Sequence, residues 1–296
     1  CFGDGAHGAL GQNTTDDIGA SNIPSDFPPV DVGADVMQTA AGMQHVCVVI
    51  RGGSVKCWGS GSSGKLGYGN TDDIGDDEYP SAVGSVDVGG EVVQVGTGRF
   101  HTCALLREGS VRCWGNGGGG RLGYANTGQI GSFPFTVPAL FGDVDVGGTV
   151  VSIALGAYHT CALLTMGNVR CWGPGTFGVL GYGNTDSIGD TEHPASAGDV
   201  EIGGFVVALG GGDWFNCALL SNASVRCWGR GTYGVLGYGN TENIGDNENP
   251  ASAGDVNLGD KKPTAISVGA QHTCALMEGG DVKCWGSGFY GELGYG

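Results

Sequence analysis

The chain has 296 residues, of which 62 are glycine, and its 30 acidic side chains outnumber 13 lysines and arginines, for a formal net charge of −17. An anionic surface repels phosphate backbones and acidic lipids, and no apolar run has the length of a membrane helix, so we expect neither a nucleic-acid partner nor membrane insertion. Glycine at about three times its usual share, without the three-residue spacing of collagen, predicts short strands joined by many tight turns.

A short landmark, "CWG" or "CFG", recurs along the whole chain at intervals of 56, 56, 58, 56 and 57 residues. The landmark cysteines are Cys1, Cys57, Cys113, Cys171, Cys227 and Cys284. We therefore interpret residues 1–296 as a single repeat array of about five repeats. Residues 1–13 share the register of residues 284–296, and this overlap indicates an open array or part of a longer chain.

Within one repeat, four short apolar segments follow each other in chain order. They are "VDVGG" (86–90), "VVQVGTG" (92–98), "HTCALL" (101–106) and "SVRCWG" (110–115). Four short strands in each repeat of 56–58 residues are typical of one blade of a β-propeller. The expected fold class is therefore all-β, a propeller of four-stranded blades that is incomplete or open. A parallel β-helix is the alternative, although its coils are usually shorter.

Each repeat also carries two cysteines ten residues apart. The pairs are Cys47 and Cys57, Cys103 and Cys113, Cys161 and Cys171, Cys217 and Cys227, and Cys274 and Cys284. A hairpin with a three-residue loop places such residues opposite each other, and the position that needs a left-handed backbone is glycine in four repeats and Ala223 in the other. Opposed residues at a non-hydrogen-bonded site have Cα atoms about 4.5 Å apart, near the lower end of disulfide geometry. We expect five disulfides, and hence an extracellular, periplasmic or cell-surface location.

Cys1 has no partner in this scheme, and we expect its partner to lie about ten residues upstream by the same spacing. A lipidated N-terminal cysteine is the weaker alternative.

A histidine precedes the first cysteine of most pairs by two residues, on the same face of the strand. These residues are His45, His101, His159 and His272. A Cys₂His metal site would use them, but Phe215 fills this position in the fourth repeat, so a packing role is the favoured interpretation.

The recurring steps "G-x-x-H-x-x-AL", "G-x-V-x-x-WG" and "G-x-LG" resemble the regulator of chromosome condensation repeat family. The resemblance covers all 296 residues and implies a propeller, although family members look seven-bladed and this chain holds about five repeats. The resemblance also implies guanine-nucleotide exchange as a candidate activity. Paired cysteines and uniform loops with no long wedge argue against exchange.

A cation precedes each landmark tryptophan by two residues, and strand alternation places both on one face. The pairs are Lys56 and Trp58, Arg112 and Trp114, Arg170 and Trp172, Arg226 and Trp228, and Lys283 and Trp285. Cation–π packing is the expected role. Tryptophan-based ultraviolet-B sensing is the alternative that the resemblance brings, but one tryptophan per blade does not form the cluster it needs.

Three acidic loops, at 70–78, 184–192 and 240–248, gather oxygen ligands in short turns. Calcium is the one cofactor to consider, with these candidate ligands: Asp72, Asp76, Asp186, Asp190 and Asp246. Their spacing is not that of an EF-hand, and side-chain turns with solvated carboxylates are the favoured interpretation.

The third repeat replaces its acidic loop with "GSFPFTVPALF" (131–141). Its apolar residues are Phe133, Phe135, Val137, Leu140 and Phe141. They form either a partner-contact patch or a segment packed beneath a neighbouring blade.

No catalytic constellation stands out, so we do not expect an enzyme. The expected function is an extracellular structural and protein-interaction module, with other proteins or copies of itself as partners. A secreted inhibitor or effector of the propeller type is the alternative, and an exchange factor is third.

Overall fold

Residues 1–295, as described by a computed structural model, contain five antiparallel sheets of three strands each, ordered as hairpins along the chain. They divide into two compact units. Unit 1 comprises residues 1–117 and 127–144, and unit 2 comprises residues 118–126 and 145–295.

Unit 1 contains sheets A and B. Sheet A consists of β1 (Val36–Ala41), β2 (His45–Ile50) and β3 (Val55–Gly59); sheet B consists of β4 (Val92–Thr97), β5 (His101–Leu106) and β6 (Val111–Gly115). The strands predicted at 92–98, 101–106 and 110–115 are therefore confirmed.

Unit 2 contains sheets C, D and E. Sheet C consists of β7 (Val150–Leu155), β8 (Thr160–Leu164) and β9 (Val169–Trp172). Sheet D consists of β10 (Val206–Gly211), β11 (Phe215–Leu220) and β12 (Val225–Gly229). Sheet E consists of β13 (Pro263–Val268), β14 (His272–Met277) and β15 (Val282–Gly286). Buried side chains of successive sheets, such as Leu163, Phe215 and Met277, form the core of unit 2 together with Val179 and Leu180.

Helical structure in the described residues is limited to single turns. The α-helical turns are α1 (Pro138–Phe141) and α2 (Pro194–Ala197). The 3₁₀ turns are Ala6–Gly8, Pro24–Asp26, Ser62–Gly64, Pro80–Ala82, Gly118–Gly120, Pro134–Thr136, Thr176–Gly178, Thr232–Gly234 and Pro250–Ala253. Between residues 1 and 295, no helix is both long enough and apolar enough to cross a membrane.

The prediction of a fourth strand at 86–90 is wrong. Val86 forms a single bridge, in which its N–H donates to the carbonyl of Val55 on sheet A at 2.8 Å. The N–H of Val88 then donates to the carbonyl of Val86 at 3.0 Å. The chain therefore turns away from β3 before further backbone pairing with that strand can form.

Other groups cover the rest of the outer edge of β3. Gly59 exchanges two backbone hydrogen bonds with Ile74, at 2.7 and 3.1 Å. The Tyr68 hydroxyl accepts from the N–H of Cys57 at 3.1 Å and donates to its carbonyl at 3.2 Å. Two bridges and one side chain thus satisfy the edge that a fourth strand would otherwise cover.

One glycine-rich loop precedes sheet A and another follows each of sheets A to D, and the 3₁₀ turn of each loop has a left-handed residue at its centre. In the first four of these turns the central residues are His7 (φ 60°), Ser63 (φ 60°), Gly119 (φ 67°) and Phe177 (φ 63°), and Tyr233 (φ 62°) follows in the fifth. Glycine is required further along each loop, because a Cβ atom on Gly67 would lie 2.8 Å from Nε1 of Trp114. These loops therefore bring each turn close to the next sheet.

Candidate functional site: stapled hairpins, sheet joints and exposed loops

The five cysteine pairs lie directly opposite each other on the second and third strands of every sheet. Each pair forms a disulfide, and the Cα atoms are 4.0 to 4.1 Å apart. The third-strand cysteine uses its backbone N–H for a tyrosine hydroxyl, as at Cys57, Cys171 and Cys227, so the pairs occupy non-hydrogen-bonded sites. Cys1 is exposed and forms no disulfide within the chain.

The predicted hairpin loops have the expected backbone. The N–H of Ile50 donates to the carbonyl of Ser54 at 2.9 Å, which closes a loop of three residues. The residue six positions after the first cysteine has a positive φ throughout, including 63° at Ala223. The loop geometry therefore sets the register that opposes the cysteines.

The histidines connect successive sheets within each unit. Nε2 of His45 is 2.9 Å from Oγ1 of Thr102, and Nε2 of His159 is 2.8 Å from Oδ1 of Asn216. Both imidazoles are buried, and the pKa falls to about 3 for His45, through burial and then the charge of Lys65. The pKa of His159 falls to about 4, chiefly through burial. Because the disulfides also remove the thiolates that a Cys₂His site needs, these histidines are neutral packing groups.

A single backbone carbonyl completes each contact. The carbonyl of Lys65 accepts from Oγ1 of Thr102 at 2.8 Å and from Nε1 of Trp114 at 3.0 Å. The carbonyl of Val179 likewise accepts from Nδ2 of Asn216 at 2.8 Å and from Nε1 of Trp228 at 3.0 Å. We call each such set, histidine, Thr or Asn, carbonyl and tryptophan, a sheet joint.

One joint in unit 2 departs from this pattern. Phe215 takes the place of the histidine, and Oγ1 of Thr273 lies 3.6 Å from Sγ of Cys217 instead. The indole N–H of Trp285 still donates to the carbonyl of Val235 at 3.0 Å. The tryptophan and carbonyl are therefore kept where the histidine is lost.

Oxygen atoms hold the cations that precede the tryptophans. The guanidinium of Arg112 donates to Asp143 at 2.8 Å and to the carbonyl of Val88 at 2.6 Å. Arg170 and Arg226 pair with Asp199 and Asp255 in the same way. Among the described residues, no contact of these three guanidinium groups with a tryptophan ring is found, so the predicted cation–π packing is not what holds them.

The acidic loops form the predicted side-chain turns. The carboxamide of Asn184 accepts from the N–H of Asp186 at 2.9 Å, and Asn70 accepts from Asp72 at 3.2 Å.

The structure does not gather the proposed calcium ligands. Among the described residues, the one group of three carboxylates within 4.8 Å consists of Asp76, Asp77 and Glu78, and of the predicted ligands it includes Asp76 alone. Burial, followed by hydrogen bonding to Asp77 and the charges of Asp76 and Asp77, raises the pKa of Glu78 to about 7. Asp72, Asp186, Asp190 and Asp246 belong to no such group in the described residues, and calcium binding stays a prediction.

The apolar loop of the third repeat lies on the surface of unit 1. The exposed fractions are 64% for Phe133, 85% for Phe135, 65% for Leu140 and 40% for Phe141, while Val137 is half-buried. A hydrogen bond from the N–H of Phe133 to Oγ1 of Thr136, at 2.9 Å, fixes the first turn. The loop is therefore an ordered apolar surface and is not packed beneath a blade.

Sequence reasoning missed an aromatic cluster in unit 2. The rings of Tyr158 and Trp214 are stacked with centroids 4.2 Å apart, and Phe177 meets Trp214 edge-on at 5.8 Å. Arg121 lies 5.8 Å from the Tyr158 centroid and Arg230 lies 4.9 Å from that of Phe177. We call these five residues the aromatic ladder. Trp214 is the one tryptophan outside the landmark register, which is the signal that could have identified it.

Two sequence profiles of the regulator of chromosome condensation (RCC1) repeat match the chain. One matches residues 52–105, 108–163 and 224–276. The other matches residues 92–121, 150–178, 206–235 and 264–292.

Two curated proteins illustrate the similarity. Human HERC2, an E3 ubiquitin-protein ligase, is 31% identical over an alignment of 296 positions that covers 99% of this chain and 6% of HERC2. The ultraviolet-B receptor UVR8 of Arabidopsis thaliana is 30% identical over 262 residues, which are 88% of this chain and 55% of UVR8. The chain thus spans a small part of one relative and about half of the other.

Solved structures share the fold. Prp20p from Saccharomyces cerevisiae, whose binding to Gsp1p and histones has been described, has a TM-score of 0.70 at 22% identity over 97% of this chain and 67% of its own. Human WBSCR16 has a TM-score of 0.66 at 24% identity over 88% of this chain and 63% of its own. The all-β architecture is thus that of RCC1-type propellers, and the repeat profiles cover more than half of the sequence. The chain belongs to the regulator of chromosome condensation repeat family.

Proposed function

We propose that the chain is a non-enzymatic protein-interaction module of an oxidising compartment, outside the cell, in a periplasm or at a cell surface. The observation that carries the proposal is the exposed apolar loop of the third repeat, which presents Phe133, Phe135, Leu140 and Phe141 on an ordered backbone. Aromatic side chains are enriched at the centres of protein interfaces and give up little conformational entropy on binding.

The disulfides support the location. Ten buried or half-buried cysteines are paired inside the sheets, and such bonds persist where thiols are not kept reduced. Paired cysteines also favour the interaction role over guanine-nucleotide exchange in the cytosol, because cytosolic thiols are kept reduced.

Protein binding is also described for a structural neighbour. Yeast RCC1 (Prp20) has been crystallised bound to Kap60. We propose a protein partner for this chain as well, with a second copy of the chain as one candidate, and a secreted inhibitor or effector would use the same surface.

Self-association through the loop is tested by sedimentation velocity of the whole chain across micromolar concentrations. The Phe133→Asp, Phe135→Asp variant should sediment as a monomer where the wild type forms larger species, because two carboxylates oppose burial of the patch. Met166→Asp, at an exposed apolar residue of unit 2, is the control and should behave as the wild type. A monomer in all three samples would discard self-assembly and leave a module for other proteins.

A further inference from the structure

The aromatic ladder occupies one end of the sheets in unit 2. Tyr158 and Trp214 lie in the turns between the first and second strands of sheets C and D, and Phe177 lies in the loop that follows sheet C. Arg230 directly follows β12. In each antiparallel sheet the first strand ends, the second begins and the third ends on the same side. All of these residues follow or precede such strand ends, so side chains from two successive repeats meet on that side.

Phe177 occupies a backbone position that disfavours it. Its φ is 63°, and a left-handed backbone costs a non-glycine residue about 1–2 kcal/mol. The equivalent loop of the preceding repeat has Gly119 at this position with a φ of 67°, so the turn itself does not need a side chain. The ring is thus held at a strained position where its visible contacts are Trp214 and Arg230.

Arg230 supplies an exposed positive charge to this surface. Its Nε donates to Oγ1 of Thr232 at 2.8 Å, and its guanidinium lies over Phe177. Within residues 1–295 no carboxylate pairs with it, whereas Arg112, Arg170 and Arg226 each form an ion pair with an aspartate. In a chain with 30 acidic side chains and 13 basic ones, a cation that forms no ion pair among the described residues is complementary to an anionic ligand.

We propose that Phe177, Trp214 and Arg230 form a docking surface for an acidic, aromatic-containing peptide segment of a partner protein. A carboxylate of the segment pairs with Arg230, and an aromatic side chain packs on the half-buried rings of Phe177 and Trp214. This inference rests on the proposed function in that the ligand is a protein. It adds a second surface, in unit 2, with its own partner chemistry.

The test uses the whole chain and three fluorescein-labelled peptides with alternating residues, (Glu-Tyr)₆, (Ser-Tyr)₆ and (Lys-Tyr)₆, in fluorescence anisotropy. We expect (Glu-Tyr)₆ to bind most tightly and its binding to weaken as salt is raised. Arg230→Gln should weaken it by about tenfold, the loss expected for one hydrogen-bonded charge pair.

Two further variants separate binding from folding. Phe177→Gly removes the ring and relieves the left-handed backbone, so it should weaken (Glu-Tyr)₆ binding by about tenfold without lowering the melting temperature. Trp214→Phe should abolish the change in intrinsic tryptophan fluorescence that the unlabelled peptide causes. The Phe133→Asp, Phe135→Asp variant, on unit 1, is the control and should bind the peptide as the wild type does. The two proposals are therefore tested independently, because a loop on unit 1 that binds no partner leaves peptide binding by unit 2 unaffected.

Several results would overturn the proposal. They are binding of (Lys-Tyr)₆ or (Ser-Tyr)₆ as tight as that of (Glu-Tyr)₆, no binding of any peptide, and equal binding by Arg230→Gln. Concentration-dependent self-association that Arg230→Gln removes would replace the peptide by a second copy of the chain.

Discussion

The buried histidines act through a single nitrogen atom at the sheet joints. Nε2 of His159 contacts the carboxamide of Asn216, while Nδ1 of His45 and of His159 has no hydrogen-bond partner among the described residues. A second proton on the ring would place a charge in a site with no acceptor for it. The joint is therefore stable only with the neutral imidazole.

Through these histidines, acid should consequently weaken the chain at a pH where carboxylates with ordinary pKa values are still ionised. The pKa of each joint histidine is lowered from 6.5, to about 4 for His159 and about 3 for His45, so the unfolded state binds protons first as the pH falls. The histidines should lower the free energy of unfolding below pH 6.5, by up to about 1.4 kcal/mol per pH unit for each histidine, and the raised pKa of Glu78 should offset part of this loss. Urea unfolding between pH 7 and pH 4 measures this loss.

The chain offers its own control for this effect. The double variant His159→Phe, Asn216→Thr reproduces the residues that occur naturally as Phe215 and Thr273 at the next joint. A Cβ atom on Gly212 would lie 2.1 Å from the Phe215 ring, as one on Gly156 would from His159, so the rings occupy matching positions. The variant should lose less stability between pH 6.5 and pH 4 than the wild type, and an unchanged pH profile would show that His159 is not responsible.

At the scale of single elements, the hairpins depend on one left-handed residue each. Gly280 has a φ of 92° with open space around a Cβ atom, and Ala223 has a φ of 63° at the equivalent position. We expect Ala223→Gly to raise the free energy of unfolding by about 1 kcal/mol and Gly280→Ala to lower it by a similar amount. Chemical unfolding measures both, and a loss of stability in both variants would contradict the loop assignment.

The outer sheet edges depend on tyrosine hydroxyls. In sheet C, the hydroxyl of Tyr182 accepts a hydrogen bond from the N–H of Cys171 at 3.2 Å. Burial is the main cause that raises the pKa of Tyr182 to about 12. Tyr182→Phe should lower the free energy of unfolding by about 1–3 kcal/mol, because it leaves the buried N–H of Cys171 without an acceptor.

The control for this edge is Tyr233→Phe, at a half-exposed ring, which should be near neutral. Hydrogen exchange at the Cys171 amide should accelerate in Tyr182→Phe alone. Equal stability of the two variants would mean that the hydroxyl does not replace a fourth strand.

How far the sequence could predict the molecule depends on the distance between interacting residues. The hairpins and cysteine pairs were predictable because all their determinants lie within about ten residues, inside one loop type. The fourth strand was wrongly predicted because Tyr68 and Ile74 occupy the edge of β3 before Val86 reaches it, and no periodicity signals such a side-chain contact. The aromatic ladder was missed because it joins residues of successive repeats, and a search for what the repeats share passes over Trp214, which only one repeat has.

At the scale of the whole molecule, the same hairpin and disulfide recur in each repeat, and the sheet joint recurs with the departure at Phe215. Repeat proteins gain stability from each repeat and from its contacts with its neighbours, so changes in one joint should add to those in another. The features that distinguish one repeat from another lie in loops whose sequence departs from the shared repeat. In this chain they are the apolar loop of the third repeat and the aromatic ladder.

The central claim is that every repeat is closed by its own disulfide, which leaves Cys1 as the one cysteine of this sequence outside a pair. The direct measurement is intact mass of the native chain with and without reductant, after alkylation of free thiols under denaturing conditions. The account predicts that one cysteine, Cys1, is alkylated in the non-reduced sample. After the mass of that alkyl group is subtracted, the non-reduced chain should weigh about 10 Da less than the chain with all its cysteines as thiols, because each of five bridges removes two hydrogen atoms. Alkylation of all eleven cysteines in the non-reduced sample would contradict both the stapled fold and the oxidising compartment proposed for it.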